Sequence, residues 1–319
     1  MIARPDRRRR TSTQLRIALV VAVLALLAGS IEPALGKPVV GAPGCQIFPR
    51  TNVWNRRIDT LPVRSDSATL IAAIGINRGL HPDFGSYKGY GIPINVANRL
   101  TPRKYVTFRY KSESDRGPYP IPTKFKREAG SDHHILIVDK DACKLYELFA
   151  ATRSASGRWS AGSGAIWSLR SNRLRPDSWT SADAAGLPIL PGLVRYDEYA
   201  KGVIAHAIRF TAPTTRSAHI YPARHDAGDG NDPALPPMGL RVRLKASVDV
   251  SGFSPQARVI LVALKRYGMI LADNGSPWYI TGAPHPSWND DQLHQLGQIS
   301  GDMFEVVDTT GLSNYSPLQ

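Results

Sequence analysis

Between His206 and Asp226 the sequence reads HAIRFTAPTTRSAHIYPARHD, with three histidines and three arginines in one short span. Imidazoles suit proton transfer near neutral pH, and guanidinium groups suit the neutralisation of carboxylates. Read as a strand, Ile204–Phe210 places His206 with Ile204, Ile208 and Phe210, and sends Arg209 to the other face. His219 and Tyr221 share a face of a second short run. Beyond Pro222, Arg224, His225 and Asp226 enter a loop, where binding groups commonly collect. The candidate catalytic residues here are His206, His219 and Tyr221, and the candidate substrate contacts are Arg209, Arg224 and His225.

Further chemistry lies upstream. Asp132 and His134 in GSDHHILIVD alternate to one side of a strand start, so the acid can orient the imidazole. Glycoside hydrolysis needs two carboxyl groups, which Glu113, Asp132, Asp183 and Asp197 could supply. A lyase acting on a uronic acid would instead use His206 or His219 as base, Tyr221 as acid, and Arg209 or Arg224 against the carboxylate. Trp159, Trp167 and Trp179 sit among Gly, Ser, Asn and Arg, either to stack on sugar rings or to cover a core.

A metal site would draw three ligands from His134, His206, His219 and His225, yet no HxH or HExxH spacing supports one. Asp229 and Asp232 offer oxygens for calcium without the spacing of an EF-hand. No cofactor is implied, and a divalent metal ion stays open. Around Ser163 the sequence is a turn and lacks the GxSxG pattern. No phosphate-cradling loop or dinucleotide fingerprint occurs.

The elements that must position these groups read as strands. RKYVTFRYKS and GLRVRLKASVDV alternate polar and apolar residues, as strands with one solvated face do. HHILIVD and KLYELFAATR flank KDAC as an antiparallel hairpin. SDSATLIAAIG, SPQARVILVALKRYG and NDDQLHQLGQI read as short helices, the second with Ser254, Pro255 and Gly268 as start and stop signals. GDMFEVVDTTG reads as a closing strand. The expected fold is all-β dominated: a single-domain β-sandwich or jelly roll with about three peripheral helices, and with one sheet face left open for the site.

Residues 1–36 read as a secretory signal: a basic start, the apolar run Ile17–Gly29, and small residues Ala34 and Gly36. Residues 37–319 form the expected β domain. They keep 34 basic and 24 acidic side chains, about +10 against +14 for the whole chain. That balance points to an anionic partner, and without Lys/Arg blocks it does not point to nucleic acid. Cys45 and Cys143 are the two cysteines of the chain, and export would pair them. Together these features predict a secreted, periplasmic or envelope protein, monomeric and without a membrane span after signal cleavage. It would cleave an anionic polysaccharide or wall glycan by hydrolysis or elimination. The alternative is a non-catalytic carbohydrate-binding or envelope protein.

Overall fold

The computed structural model describes residues 37–312, which fall within one compact unit. The signal-peptide expectation for residues 1–36 lies outside the described residues. The fold is β-dominated and sandwich-like, with four sheets. The largest has the order β1 (His81–Asp83), β14 (Tyr279–Thr281), β11 (Ile208–Ala212), β13 (Met269–Asn274), β12 (Arg241–Leu244) and β15 (Phe304–Val306). A four-stranded sheet runs β10 (Ser163–Ser168), β7 (Lys144–Phe149), β6 (Ile135–Asp139), β2 (Ile94–Ala97). A small sheet joins β4 (Val106–Phe108), β9 (Trp159–Ala161) and β8 (Thr152–Arg153), and β3 (Arg103–Lys104) pairs with β5 (Tyr119–Pro120).

The hairpin expected around KDAC is formed by β6 and β7, antiparallel from Ile135–Leu148 to Asp139–Lys144. Its two faces are both buried. Leu136, Val138 and Leu145 enter one core, and Ile135, Ile137, Tyr146 and Leu148 enter another. Alternation therefore points Glu147 into the first core, towards Ile189 and Leu190. Disulfide Cys45–Cys143 ties the start of the described chain to this hairpin turn, with a Cα–Cα distance of 5.2 Å.

Three helices appear where the sequence signals them. α1 is Ser67–Gly75, the four-residue α2 (Tyr196–Tyr199) was not anticipated, α3 is Pro255–Arg266 and α4 is Asp290–His294. In α3, Ile260, Leu261, Ala263 and Leu264 bury against the largest sheet. The helix stops where Gly268 takes φ +63°, a left-handed conformation that costs glycine little. The SDS stretch suggests a serine cap for α1, and the structure differs. Its N-cap is Asp66, whose carboxylate is occupied by Arg64, while the Ser67 hydroxyl accepts from Val306 N.

Two expectations are corrected. The largest sheet has no open face at its centre, since successive residues of β11 and β13, of both parities, are buried. Helices pack into the core of this sheet, as do Ala185, Leu187 and Val194 of the preceding irregular segment. Arg241, expected on a solvated face, is 1% exposed and donates to the carbonyls of Val53, Arg56 and Tyr267. Four backbone acceptor contacts replace the water it lost.

Candidate functional site

An irregular segment from Arg175 to Leu193 runs between the two larger sheets, and buried polar side chains hold it. Ser181 Oγ donates towards the carbonyls of Leu187 and Asp183, and Ser163 Oγ donates to the Ser181 carbonyl. The Glu147 carboxylate accepts from Ile189 N and Leu190 N at 2.9–3.0 Å. Ala185 N donates to the Ala272 carbonyl of β13. At Gly192 any side chain would collide with the Trp54 ring at 2.7 Å and Arg209 Cβ at 2.9 Å, so the segment passes closely between them.

Asp183, carried by this segment, meets β11 through a two-point contact. Arg209 Nε and Nη2 donate to its two oxygens at 3.1 and 2.7 Å, and Arg209 Nη1 donates to Thr281 Oγ1 at 2.5 Å. Such fork-to-fork pairs fix both position and orientation. Arg209 and Asp183 are buried. Burial lowers the Arg209 pKa, but the Asp183 charge more than reverses it, and the guanidinium is held well above its ordinary value.

Strand register then gathers more charge around Arg209. Thr281 of β14 lies beside it, and Asp83 of β1 is registered with Thr281. Between Phe210 and Thr211 the β11–β13 pairing slips by one residue, so Thr211 opposes Asp273 instead of Ala272. Residues i and i+2 share a face, so this bulge turns Asp273 to the face of Arg209. Asp273 Oδ2 is 3.5 Å from Arg209 Nη2, and its Oδ1 accepts from Asn274 N. Its side chain keeps 26% of its exposure, so solvent reaches the acid. Burial first, and then the Asp183 charge, push Asp273 up to about 7 against the opposing pull of Arg209 and His134.

A second ion pair lies just before the four-stranded sheet. At the start of β6, His134 Nδ1 donates to Glu128 Oε2 at 2.6 Å and Nε2 donates to the Ala182 carbonyl at 3.0 Å. With acceptors at both nitrogens the ring is an imidazolium. Burial lowers its pKa, and Glu128 outweighs that and raises it above 6.5. Glu128 is driven the other way: burial raises it, but its hydrogen bond and charge interaction with His134 hold it below 4.5. Its side chain is 16% exposed. Glu147, fully enclosed, is pushed up by burial to about 7 despite its two backbone donors. Burial also raises Asp83.

The sequence candidates divide into groups on this framework. Arg209 and His134 belong to the cluster around Asp183, which itself stood among the hydrolase acids. Glu113, His219, Arg224, His225, Trp167 and Trp179 gather along the outer side of residues 175–185. Asp177 Oδ1 takes His219 Nε2 at 3.2 Å and Arg224 Nη2 at 2.9 Å. His225 Nδ1 donates to the Ala184 carbonyl, and its Nε2 lies 3.8 Å from Glu113. Arg175 stacks over Trp167 and Trp179 while pairing with Asp115. Tyr221 lines a separate cavity near Trp54.

The others lie elsewhere. His206 precedes β11 in an irregular turn, so strand alternation does not apply to it. Its Nε2 donates to buried Glu198 at 2.9 Å and its Nδ1 to the Ala207 carbonyl at 2.8 Å. Asp132 is an exposed turn residue, and a positive φ at His133 breaks the alternation that would have put Asp132 beside His134; Glu128 is the partner instead. Trp159 is buried edge-to-face against Phe125, 5.1 Å between ring centroids. Asp197, half-buried at the start of α2, pairs with buried Arg195.

Glu128, Glu147, Asp273 and Asp83 escaped the sequence reading. Glu147 and Asp273 carry one signal, an acid inside an apolar run as in LYELF and ILADN, whereas Glu128 in KFKREAG and Asp83 in HPDFG carry none. Among the described residues, no three His, Cys, Asp or Glu side chains converge as metal ligands, and no helix is long and apolar enough to cross a membrane. Compared with protein-family models, curated proteins and solved structures, the chain matches none.

Proposed function

We propose that the protein is an exported glycoside hydrolase acting on a polysaccharide or wall glycan, with Asp273 as proton donor and Glu128 as the ionised carboxylate. One observation carries this reading. Around the Arg209–Asp183 pair, two partly exposed carboxyl groups are driven to opposite protonation states, Asp273 up to about 7 and Glu128 below 4.5. Acid–base pairs are recognised by environments that push like groups apart in this way. Asp273 keeps a proton at mildly acidic pH and has a solvent-facing edge from which to deliver it to a leaving oxygen. Glu128 Oε2 is fixed by His134 N and Nδ1, so its charge is held in place. As the glycosidic bond breaks, the Asp273 proton passes to the departing oxygen, the Glu128 carboxylate balances the positive charge that gathers on the sugar ring, and water supplies the hydroxyl and the proton that restore sugar and acid.

The exported setting rests on the disulfide, whose formation fits an oxidising compartment. A glycan ligand is supported by the basic balance and by the aromatic and amide groups beside the segment 175–193. Elimination has less support, because both ring nitrogens of His206 are occupied and His219 is held between Asp177 and Asp226.

The test is incubation of the purified protein and its Asp273→Asn variant with neutral and anionic polysaccharides, with and without chelator. New reducing ends without unsaturation, lost in the variant, are expected. Unsaturated products would assign a lyase, and loss on chelation a metal enzyme. Binding without cleavage of any polymer would leave a carbohydrate-binding protein.

A further inference from the structure

A cavity of about 320 Å³ lies beside the segment 175–193, on its Gly186–Pro188 stretch, and is walled by Trp54, Trp167 and Tyr221. That volume is at the small end of ligand pockets, about 300–1,000 Å³. Its polar edge is prearranged: Asn52 Nδ2 donates to Asn172 Oδ1 at 3.1 Å, and Asn172 Nδ2 to Thr51 Oγ1 at 2.7 Å. The Trp167 side chain, almost wholly buried, forms one wall with its ring.

The charges around the cavity have one sign. No Asp or Glu lines it, and exposed Arg173 at its edge has no side-chain partner among the described residues. Behind Val53 and Tyr221, buried Arg241 is bonded to carbonyl oxygens alone, without a carboxylate among the described residues. Its cationic charge reaches Tyr221: burial raises that phenol, while Arg241 and Arg56 pull it down. An unneutralised cation in a low-dielectric interior projects its field further than one in water.

We infer that this cavity binds a carboxylated sugar, a uronic acid residue, with Arg173 at the carboxylate, Tyr221 and Trp167 against the ring, and Asn52 and Asn172 towards its hydroxyls. The choice of a sugar rests on the glycan reading above; the choice of an acidic one rests on the charges of the cavity.

The test is titration of the full protein with sodium glucuronate and with methyl glucoside, by calorimetry and tryptophan fluorescence, at low and high salt. Glucuronate should bind at least about tenfold more tightly than the glucoside, a difference of about 1.4 kcal/mol. Salt and Arg173→Ala should both weaken it, whereas Asp273→Asn should leave it intact. Equal affinity for the two sugars, no binding of either, or indifference to Arg173→Ala would overturn the assignment. Cleavage of a glycan without glucuronate binding removes this site and leaves the hydrolase. Glucuronate binding without cleavage of any glycan does the reverse.

Discussion

At the residue scale the proposed hydrolysis turns on Asp273. Burial and the neighbouring Asp183 charge favour its protonated form, so in that proposal its loss of a proton on raising the pH sets the alkaline limit. The expected rate profile on a cleaved glycan falls as pH rises through about 7. Asp273→Asn keeps the shape and removes the titrating proton. Turnover should drop by roughly 10²–10⁴-fold, the usual contribution of a positioned acid, and the alkaline limb should disappear from what activity remains. Initial rates of reducing-end release between acidic and alkaline pH read both effects. An unchanged profile in the variant would move the proton donor elsewhere. Arg209 was legible in the sequence as a cation for a carboxylate, and the carboxylate it found is the protein's own Asp183.

At the element scale, the candidate site depends on how the 175–193 segment is clasped between two sheets. Glu147 of β7 is central, because two consecutive backbone N–H groups converge on its carboxylate. Glu147→Leu removes both carboxyl oxygens and leaves the buried amides of Ile189 and Leu190 without acceptors. The expected loss of stability is about 1–3 kcal/mol, the range for a buried polar group left unpaired. Hydrogen exchange at the amides of Ile189 and Leu190 should quicken first, since the clasp opens locally before the molecule unfolds. Loss of stability without faster exchange there would argue against a local clasp. The β6–β7 hairpin and α3 were readable because their signals are short-range: a tight connection between apolar runs, and Ser254, Pro255 and Gly268 around a stripe. The site was less readable because its parts lie far apart in sequence. The bulge that turns Asp273 towards Arg209 has no marker in ILADN, and the positive φ at His133 hands His134 to Glu128 rather than to Asp132. In β6 and β7 near-continuous burial conceals Glu147 as one polar letter in an apolar word.

At the scale of the whole molecule, the disulfide closes a span of 98 residues across the start of the described chain and the four-stranded sheet. The chain-entropy model gives about 4–5 kcal/mol for a loop of that size, so Cys45→Ser with Cys143→Ser should lower the urea midpoint markedly, and reduction of the native protein should do the same. The interior charges act on the same balance through pH. Glu147 and Asp273 hold protons in the folded state up to about 7, against ordinary values of 4.5 and 3.8. Between those limits the folded protein binds protons that the unfolded chain releases, so stability falls as pH rises. His134, raised above 6.5, adds stability at low pH that is lost as pH climbs through its folded value. Glu128 and Glu198 oppose this trend: burial raises both, yet His134 for the first and Arg195 with His206 for the second hold them below 4.5. Their contribution is complete above 4.5 and is lost as the solution becomes more acidic. The two trends place maximal stability at about pH 5 and make it decline through pH 7. Thermal unfolding between pH 4 and pH 8 measures the curve, and Asp273→Asn should flatten its alkaline side by removing one of the groups that cause the decline, which are Glu147, Asp273, Asp83 and His134. A melting temperature that rises from pH 5 to pH 8 would mean that the buried acids are ionised in the folded protein, and the proton assigned to Asp273 would go with them.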